Sequence, residues 1–142
     1  MSGIWRSPGG LCILKADRDD TREVVPGALY MKHMFSQAFS IAYYEVPAGA
    51  GSKAPVRAHS HGEEVAVVLS GSGTFETQDG ERCAIGPGDV LVIPAGVEHW
   101  GSFNDNETMR LVSIVTPPRE ELGPEGSVPF FPLQTAVAPG SE

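Results

Sequence analysis

The sequence is short of cysteine. Cys12 and Cys83 are the only two, and they lie far apart. Two widely spaced cysteines make neither a disulfide framework nor a zinc-ribbon pattern, and the simplest expectation is two reduced, buried thiols in a cytoplasmic protein. Basic residues are also few: 10 Lys and Arg stand against 18 Asp and Glu, a formal net charge of −8. That balance argues against nucleic acid or an anionic membrane as a partner, since both attract a basic surface. It leaves room for a small anionic substrate, because a site can be locally basic. No apolar run approaches the ~20 residues of a membrane span. The opening MSGIWRSPGG has neither the charged start nor the apolar stretch of a signal peptide, so the cytoplasm is the expected location. No helical 3.6-residue stripe is visible before residue 118, which turns attention to strands.

What the chain does have is 17 glycines and 12 prolines punctuating short apolar runs. With 41% hydrophobic residues it can build a core, and the pattern of short runs and turns predicts a single all-β domain. Residues 1–28 read as an N-terminal arm or edge strand. Within them, KADRDDTREVVPG is a charge run expected to be a solvated face or loop. Strand signals become regular from Leu29. FSIAYYEVPAG, EEVAVVLSG, GDVLVIPAG and MRLVSIVTPP each end at glycine or proline, and GVEHWGSFNDNE carries a short strand with a polar turn. GTFETQDGERCAI reads as a hairpin turning at Asp79-Gly80. About five to seven strands spaced at ~8–12 residues suit a sandwich or barrel over residues 29–118. Residues 119–142 read as an irregular tail, with one helical turn at PREELGP and a possible anchor at Phe130 and Phe131. Tyr43, Tyr44, Phe75, Trp100, Phe103 and Met109 are the expected core aromatics and methionine.

Four histidines are present: His33, His59, His61 and His99. Residues two apart in a strand share a face, ~6–7 Å from one another along the chain, so His59 and His61 can aim two imidazoles at one point. Glu63 and Glu64 follow at once. His99 comes directly after a Pro-Ala-Gly turn, in a later strand expected to run next to the first. Three imidazoles and one carboxylate suit a divalent transition metal with positions left open for water or substrate. His33 lies apart from this constellation and is expected to be structural or exposed. Arg57, Arg110 and Lys32 are the cations that could grip an acidic substrate; strand parity puts Arg57 on the face of His59. No serine or cysteine nucleophile has a placed base.

HSHGEEVAVVLSG resembles the first motif of the cupins, an HxH, a glutamate and a glycine. GDVLVIPAGVEHWGSFN is similar to the second, with Gly88, Pro94, Gly96, His99 and Asn104 in the expected positions. The resemblance covers about residues 38–118. It implies a small antiparallel jelly-roll barrel holding one metal ion, zinc, nickel, manganese or iron, and a homodimer paired through its sheets. Counting back six residues from Gly71 makes Glu64 the metal carboxylate, one residue closer to His61 than is usual in that family. In an unbroken strand Glu63, not Glu64, would share the face of His59 and His61. Glu64 becomes the ligand if a bulge or turn at Gly62 resets the alternation. The expected ligands are therefore His59, His61, Glu64 and His99, with Glu63 the alternative carboxylate. On that assignment Glu63, beside the metal, could move protons.

Local similarity of FSIAYYEVPAGA and LVSIVTPPREE to small cupins that act on sugar acids or in polyketide biosynthesis implies isomerisation, cyclisation or lyase chemistry on a small oxygenated substrate. A metal-dependent dioxygenase and a ligand-binding cupin without turnover remain as alternatives.

Overall fold

The computed structural model describes residues 4–51 and 60–119, and every regular element among the described residues is a strand. In chain order they are β1 (Ile4–Arg6), β2 (Cys12–Leu14), β3 (Arg22–Val25), β4 (Leu29–Phe35), β5 (Ser40–Val46), β6 (Glu63–Ser70), β7 (Gly73–Thr77), β8 (Arg82–Ile85), β9 (Val90–Ile93), β10 (His99–Phe103) and β11 (Met109–Thr116). All pairings are antiparallel. Six strands form the large sheet in the order β3-β4-β5-β11-β6-β9. Three form a smaller sheet, β10-β7-β8, and β1 pairs with β2 as a separate ribbon. The fold is all-β, as the pattern of short punctuated strands predicts, with the jelly-roll arrangement that the family resemblance implies. No helix among the described residues is long and apolar enough to cross a membrane.

The two sheets face each other across an apolar core. Val46, Val68, Met109 and Leu111 from the large sheet meet Ile85, Phe75 and Phe103 from the small one. Each fully buried side chain of this kind contributes ~1.5–3 kcal/mol. The core occupies one end of the interior. Toward the other end, the same inward faces change character: His33, Ser40, Ser113, Glu64 and His99 are all buried there. Gly71, which closes β6, has φ +83°, and a Cβ on it would stand 2.7 Å from the Met109 Cα. It is needed both for the turn and for the close approach of β11.

Among the described residues, eight strands lie between Leu29 and Thr116, one more than the upper count read from sequence. The added element is β4, LYMKHMF, where Met31, Lys32 and His33 are buried in succession. Its alternation is hidden because both faces are covered. Met31 and His33 face the interior, and Lys32 lies under the N-terminal segment. Its ammonium donates to the Asp17 carboxylate and to the Asp19 carbonyl, both at 2.9 Å. On the same outer face the Tyr43 hydroxyl donates to Glu45 at 2.7 Å and accepts from Arg110 Nε at 2.9 Å. Arg110 also donates to the Ala16 carbonyl, and Arg18 lies over the Tyr30 ring and 3.4 Å from Glu45. Burial, then the Glu45 carboxylate, push the Tyr43 phenol up to about 12.

This network revises several expectations. The charge run is not wholly a solvated loop, since β3 pairs along β4 and residues 16–19 cap the outer face. Lys32 and Arg110 are committed to that cap, on the opposite face from Glu64, and do not grip a substrate inside the barrel. Tyr43 is buried, but on the outer face. Cys83 is exposed and Cys12 half-buried, so neither thiol is the buried core residue expected. Arg57, His59 and all but the first residue of the tail expected at residues 119–142, including Phe130 and Phe131, lie outside the described residues.

Asp17→Ala leaves a fully buried ammonium with one carbonyl as its remaining polar partner, so it should lower the unfolding free energy by ~1–3 kcal/mol in urea titrations. Adding Lys32→Met should recover most of the loss, because it removes the charge that needs pairing.

Candidate metal centre

Three side chains converge at the polar end of the interior, and each arrives by a different route. Glu64 is the second residue of β6, paired with Val115 of β11 and Ile93 of β9. The chain bends at Gly62 immediately before β6 begins. That bend resets the alternation, so Glu64 turns inward and is 6% exposed, while Glu63 turns outward and is exposed. The reason for glycine differs from the one expected. Gly62 does not adopt a left-handed φ. A Cβ there would stand 2.2 Å from the Thr116 carbonyl oxygen, so it is the close approach of β11 that excludes a side chain.

His99 opens β10, which is in the small sheet. The expectation that its strand runs next to the HxH strand does not hold: β9 takes that place. The chain leaves β9 at Ile93, turns through Pro94 to Gly96, and crosses to the facing sheet, where His99 points back inward. The Gly96 N–H donates to the His61 carbonyl at 2.9 Å, which joins the turn to the segment carrying His61. Facing sheets, not adjacent strands, bring the histidines together.

The resulting geometry is tight. His61 Nε2 is 2.9 Å and His99 Nε2 3.6 Å from Glu64 Oε1. The two rings meet edge to face, with centroids 4.8 Å apart, and Phe75 stacks 6.5 Å from His99. Nδ1 of His61 lies 2.8 Å from the Gly62 carbonyl, and Nδ1 of His99 lies 2.8 Å from the Val97 carbonyl. A carbonyl only accepts, so each Nδ1 carries the proton and each Nε2 is the nitrogen presented to the cluster. This is the outer hydrogen bonding that orients metal-binding imidazoles. The second oxygen of Glu64 accepts from the Ser113 hydroxyl at 2.8 Å. Burial pushes the Glu64 carboxyl up, but its contacts with the His61 and His99 imidazoles and the hydrogen bond from Ser113 outweigh it and hold the group well below the usual carboxylate range. Burial pulls His99 down, and the Glu64 carboxylate and Val97 carbonyl more than offset this, leaving it raised.

One ligand atom from each of His61, Glu64 and His99 lies within 4.8 Å of the others. Two neutral imidazole nitrogens and an ionised, otherwise buried carboxylate are a donor set that fits a divalent transition metal. Metal ligands of these types bind in their deprotonated forms, so metal binding here is expected to weaken as pH falls. Of the residues expected at this site, the structure gathers His61, Glu64 and His99. Glu63 is one residue away on the outer face, and its placement gives no support to a proton-carrying role. Ser113 was not anticipated, although MRLVSIVT contains the signal: it is the lone polar residue on a face otherwise made of Met109, Leu111 and Val115. His33, expected to be structural or exposed, is fully buried and faces the interior.

A family model described as the cupin domain matches residues 42–115. Acireductone dioxygenase 1 of Coprinopsis cinerea is 34% identical over 62 residues, which is 39% of this chain and 35% of that protein. The chain thus spans about a third of the length of that curated relative. Among solved structures, KdgF from Halomonas sp. superposes with a TM-score of 0.61 at 20% identity, covering 73% of this chain and 93% of that one. The polyketide cyclase RemF from Streptomyces resistomycificus gives 0.57 at 22%, covering 73% and 79%. At these identities the two structures establish a shared fold.

Ser113→Ala removes one hydrogen bond to Glu64 while leaving the strand intact. The variant should fold normally and bind a divalent metal ~10–100-fold more weakly in a chelator-competition assay.

Proposed function

The chain belongs to the cupin family, whose model spans more than half of its 142 residues, and from that premise we propose that it is a metal-dependent enzyme acting on a small oxygenated molecule. The observation that carries this reading is the pair of imidazoles whose Nδ1 atoms are both committed to backbone carbonyls, so that both Nε2 atoms meet Glu64 Oε1 at one buried point. His61, Glu64 and His99 would hold the ion, with His59, outside the described residues, as the further ligand expected from the HxH spacing.

A bound divalent ion would polarise a carbonyl or hydroxyl oxygen of the substrate and stabilise negative charge developing on it. The protein's own contribution is orientation and exclusion of water. Ser113 keeps the Glu64 carboxylate turned inward, the Gly62 and Val97 carbonyls fix the imidazole tautomers, and Phe75 walls one side of His99. The surrounding apolar strands make the site a low-dielectric one in which such charge stabilisation is strong. The reaction we favour is non-redox: isomerisation, cyclisation or elimination of a sugar-acid-like or polyketide-like substrate. The ion can be zinc, nickel or manganese on this reading. A second reading has its own support. Imidazoles and a carboxylate suit iron as well as zinc or nickel, and one relative is an acireductone dioxygenase. Binding of a ligand without turnover is the third possibility, and an unchanged ligand recovered from the loaded protein would establish it.

We place the protein in the reducing cytoplasm and propose that it works as a homodimer. The support for pairing is a grid of β-branched side chains on the outer face of the large sheet. Ile114, Val65 and Val92 lie in one row and Val112, Val67 and Val90 in the next, with Val90 and Val92 about 60% exposed (59% and 61%) on the edge strand. Such a patch is self-complementary about a two-fold axis. The double substitution V90E/V92E should yield a monomer by light scattering with the metal site intact.

His61→Ala and His99→Ala should each abolish stoichiometric metal binding while circular dichroism shows a folded barrel, because the apolar core at the other end supplies most of the stability. Full metal occupancy in both variants would refute the site. Metal analysis of protein purified without chelator, run beside an oxygen electrode, separates the reactions. Iron with oxygen uptake selects the dioxygenase; zinc, nickel or manganese without uptake selects the non-redox enzyme.

A further inference from the structure

Among the described residues the exposed large hydrophobics are Leu11, Ile13, Leu69, Val90 and Val92, and they fall into two groups. Leu69, Val90 and Val92 belong to the outer face of β6 and β9. Leu11 and Ile13 belong to the ribbon of β1 and β2, where they are 68% and 43% exposed. The ribbon is a sheet of its own. Its turn is firmly built. The Ser7 hydroxyl accepts from the Leu11 amide and the Ser7 amide donates to the Leu11 carbonyl, both at 2.9 Å. Gly10, at φ +97°, donates to the Ser7 carbonyl at 3.0 Å. Even so, a two-stranded hairpin is marginal in water unless another surface covers it.

The segment behind the ribbon shows where it leads. Asp19 and Asp17 meet Lys32 on β4, Arg18 meets Glu45 on β5, and the Ala16 carbonyl accepts from Arg110 on β11. Followed from Asp19 back to Ala16, the chain thus crosses β4, β5 and β11 in turn. The next strands of that sheet are β6 and β9, which carry the valine patch. The ribbon nevertheless does not cover the patch of its own chain, since Val90 and Val92 stay 59% and 61% exposed. We propose that it lies against the patch of a second copy, each copy giving one arm and receiving one. This rests on the homodimer reading above and names the element that completes the interface. The area calls for it. Three strands and three side-chain rows give the patch a flat area of roughly 300 Å², whereas a standard interface buries about 800 Å² on each partner. One ribbon face adds roughly 150 Å², and giving one while receiving another about doubles the contact. Charge favours the same pairing. The first 15 residues hold Arg6 and Lys15 and no acid, in a chain of net charge −8, and Glu63 is exposed at the margin of the patch. The exchange is reciprocal, as a two-fold axis requires.

The test is the double substitution L11E/I13E in the full chain, which puts two carboxylates on the ribbon and leaves the patch untouched. Sedimentation velocity should show dimerisation at least about tenfold weaker than in the wild type, with circular dichroism unchanged. A dimer of unaltered affinity in L11E/I13E, beside a monomeric V90E/V92E, overturns the arm contact while leaving the homodimer standing. A wild type that is itself monomeric overturns the homodimer reading and this inference with it. If L11E/I13E does not fold, photocrosslinking decides. With p-benzoylphenylalanine in place of Ile13, irradiation should yield a covalent species of twice the chain mass, and peptide mapping should place the link on the segment of β6 or β9. Links confined within one chain, or reaching any other part of the second copy, overturn the proposal.

Discussion

A carboxylate buried inside a protein must be paired, and the polar end of this barrel is organised around satisfying Glu64. Left alone in an apolar interior, an ionised carboxyl would lose several kcal/mol of hydration free energy. Here one oxygen faces two imidazole nitrogens and the other accepts from Ser113. Each of these partners is itself held: the imidazoles by backbone carbonyls, the serine by its place in the middle of β11. The arrangement is tolerable because the interior is divided. Val46, Val68, Met109 and Leu111 fill one end with hydrocarbon, and the ionisable groups are gathered at the other.

The outer face of the large sheet solves a different problem with opposite means. Over β4 and β5 the N-terminal segment covers a network of Lys32, Tyr43, Glu45 and Arg110, whose charges are matched within the chain. Over β6 and β9 the same face carries Val65, Val67, Val90 and Val92, with Glu63 at its margin. One sheet therefore presents three environments: an intramolecular polar cover, an apolar patch and, on its reverse, the metal-ligating side chains. The alternation of β6 alone separates two of them, with Val65 and Val67 outward and Glu64 and Ala66 inward.

How much of this was legible in the sequence depends on how local the cause is. The strands ended by glycine or proline were readable because turn chemistry is local: β5, β6, β9, β11 and the hairpin of β7 and β8 lie where the punctuation puts them. β4 was obscured because both its faces are covered, which erases the two-residue rhythm. The choice of Glu64 over Glu63 as the inward carboxylate hinged on a bend at Gly62, and the sequence pointed there for a reason that was only partly right. The need for glycine comes from β11, about fifty positions later, a contact that no local rule contains. The same limit hid the true position of His99. Histidine spacing and the Pro-Ala-Gly turn indicate that the imidazoles meet, but not that they approach from opposite sheets. Ser113 was readable in principle from the alternation of its strand. His33 was not, since its neighbours belong to β5 and β11.

The hydrogen bond from the Gly96 amide to the His61 carbonyl uses no side-chain atom. It fastens the segment bearing one imidazole to the turn leading to the other by main chain alone. Any residue type at positions 61 and 99 would be delivered to the same place, so the scaffold and its reactive groups are free to diverge separately. A lineage built on this frame can exchange one ligand set for another, or discard it, without relearning how to fold.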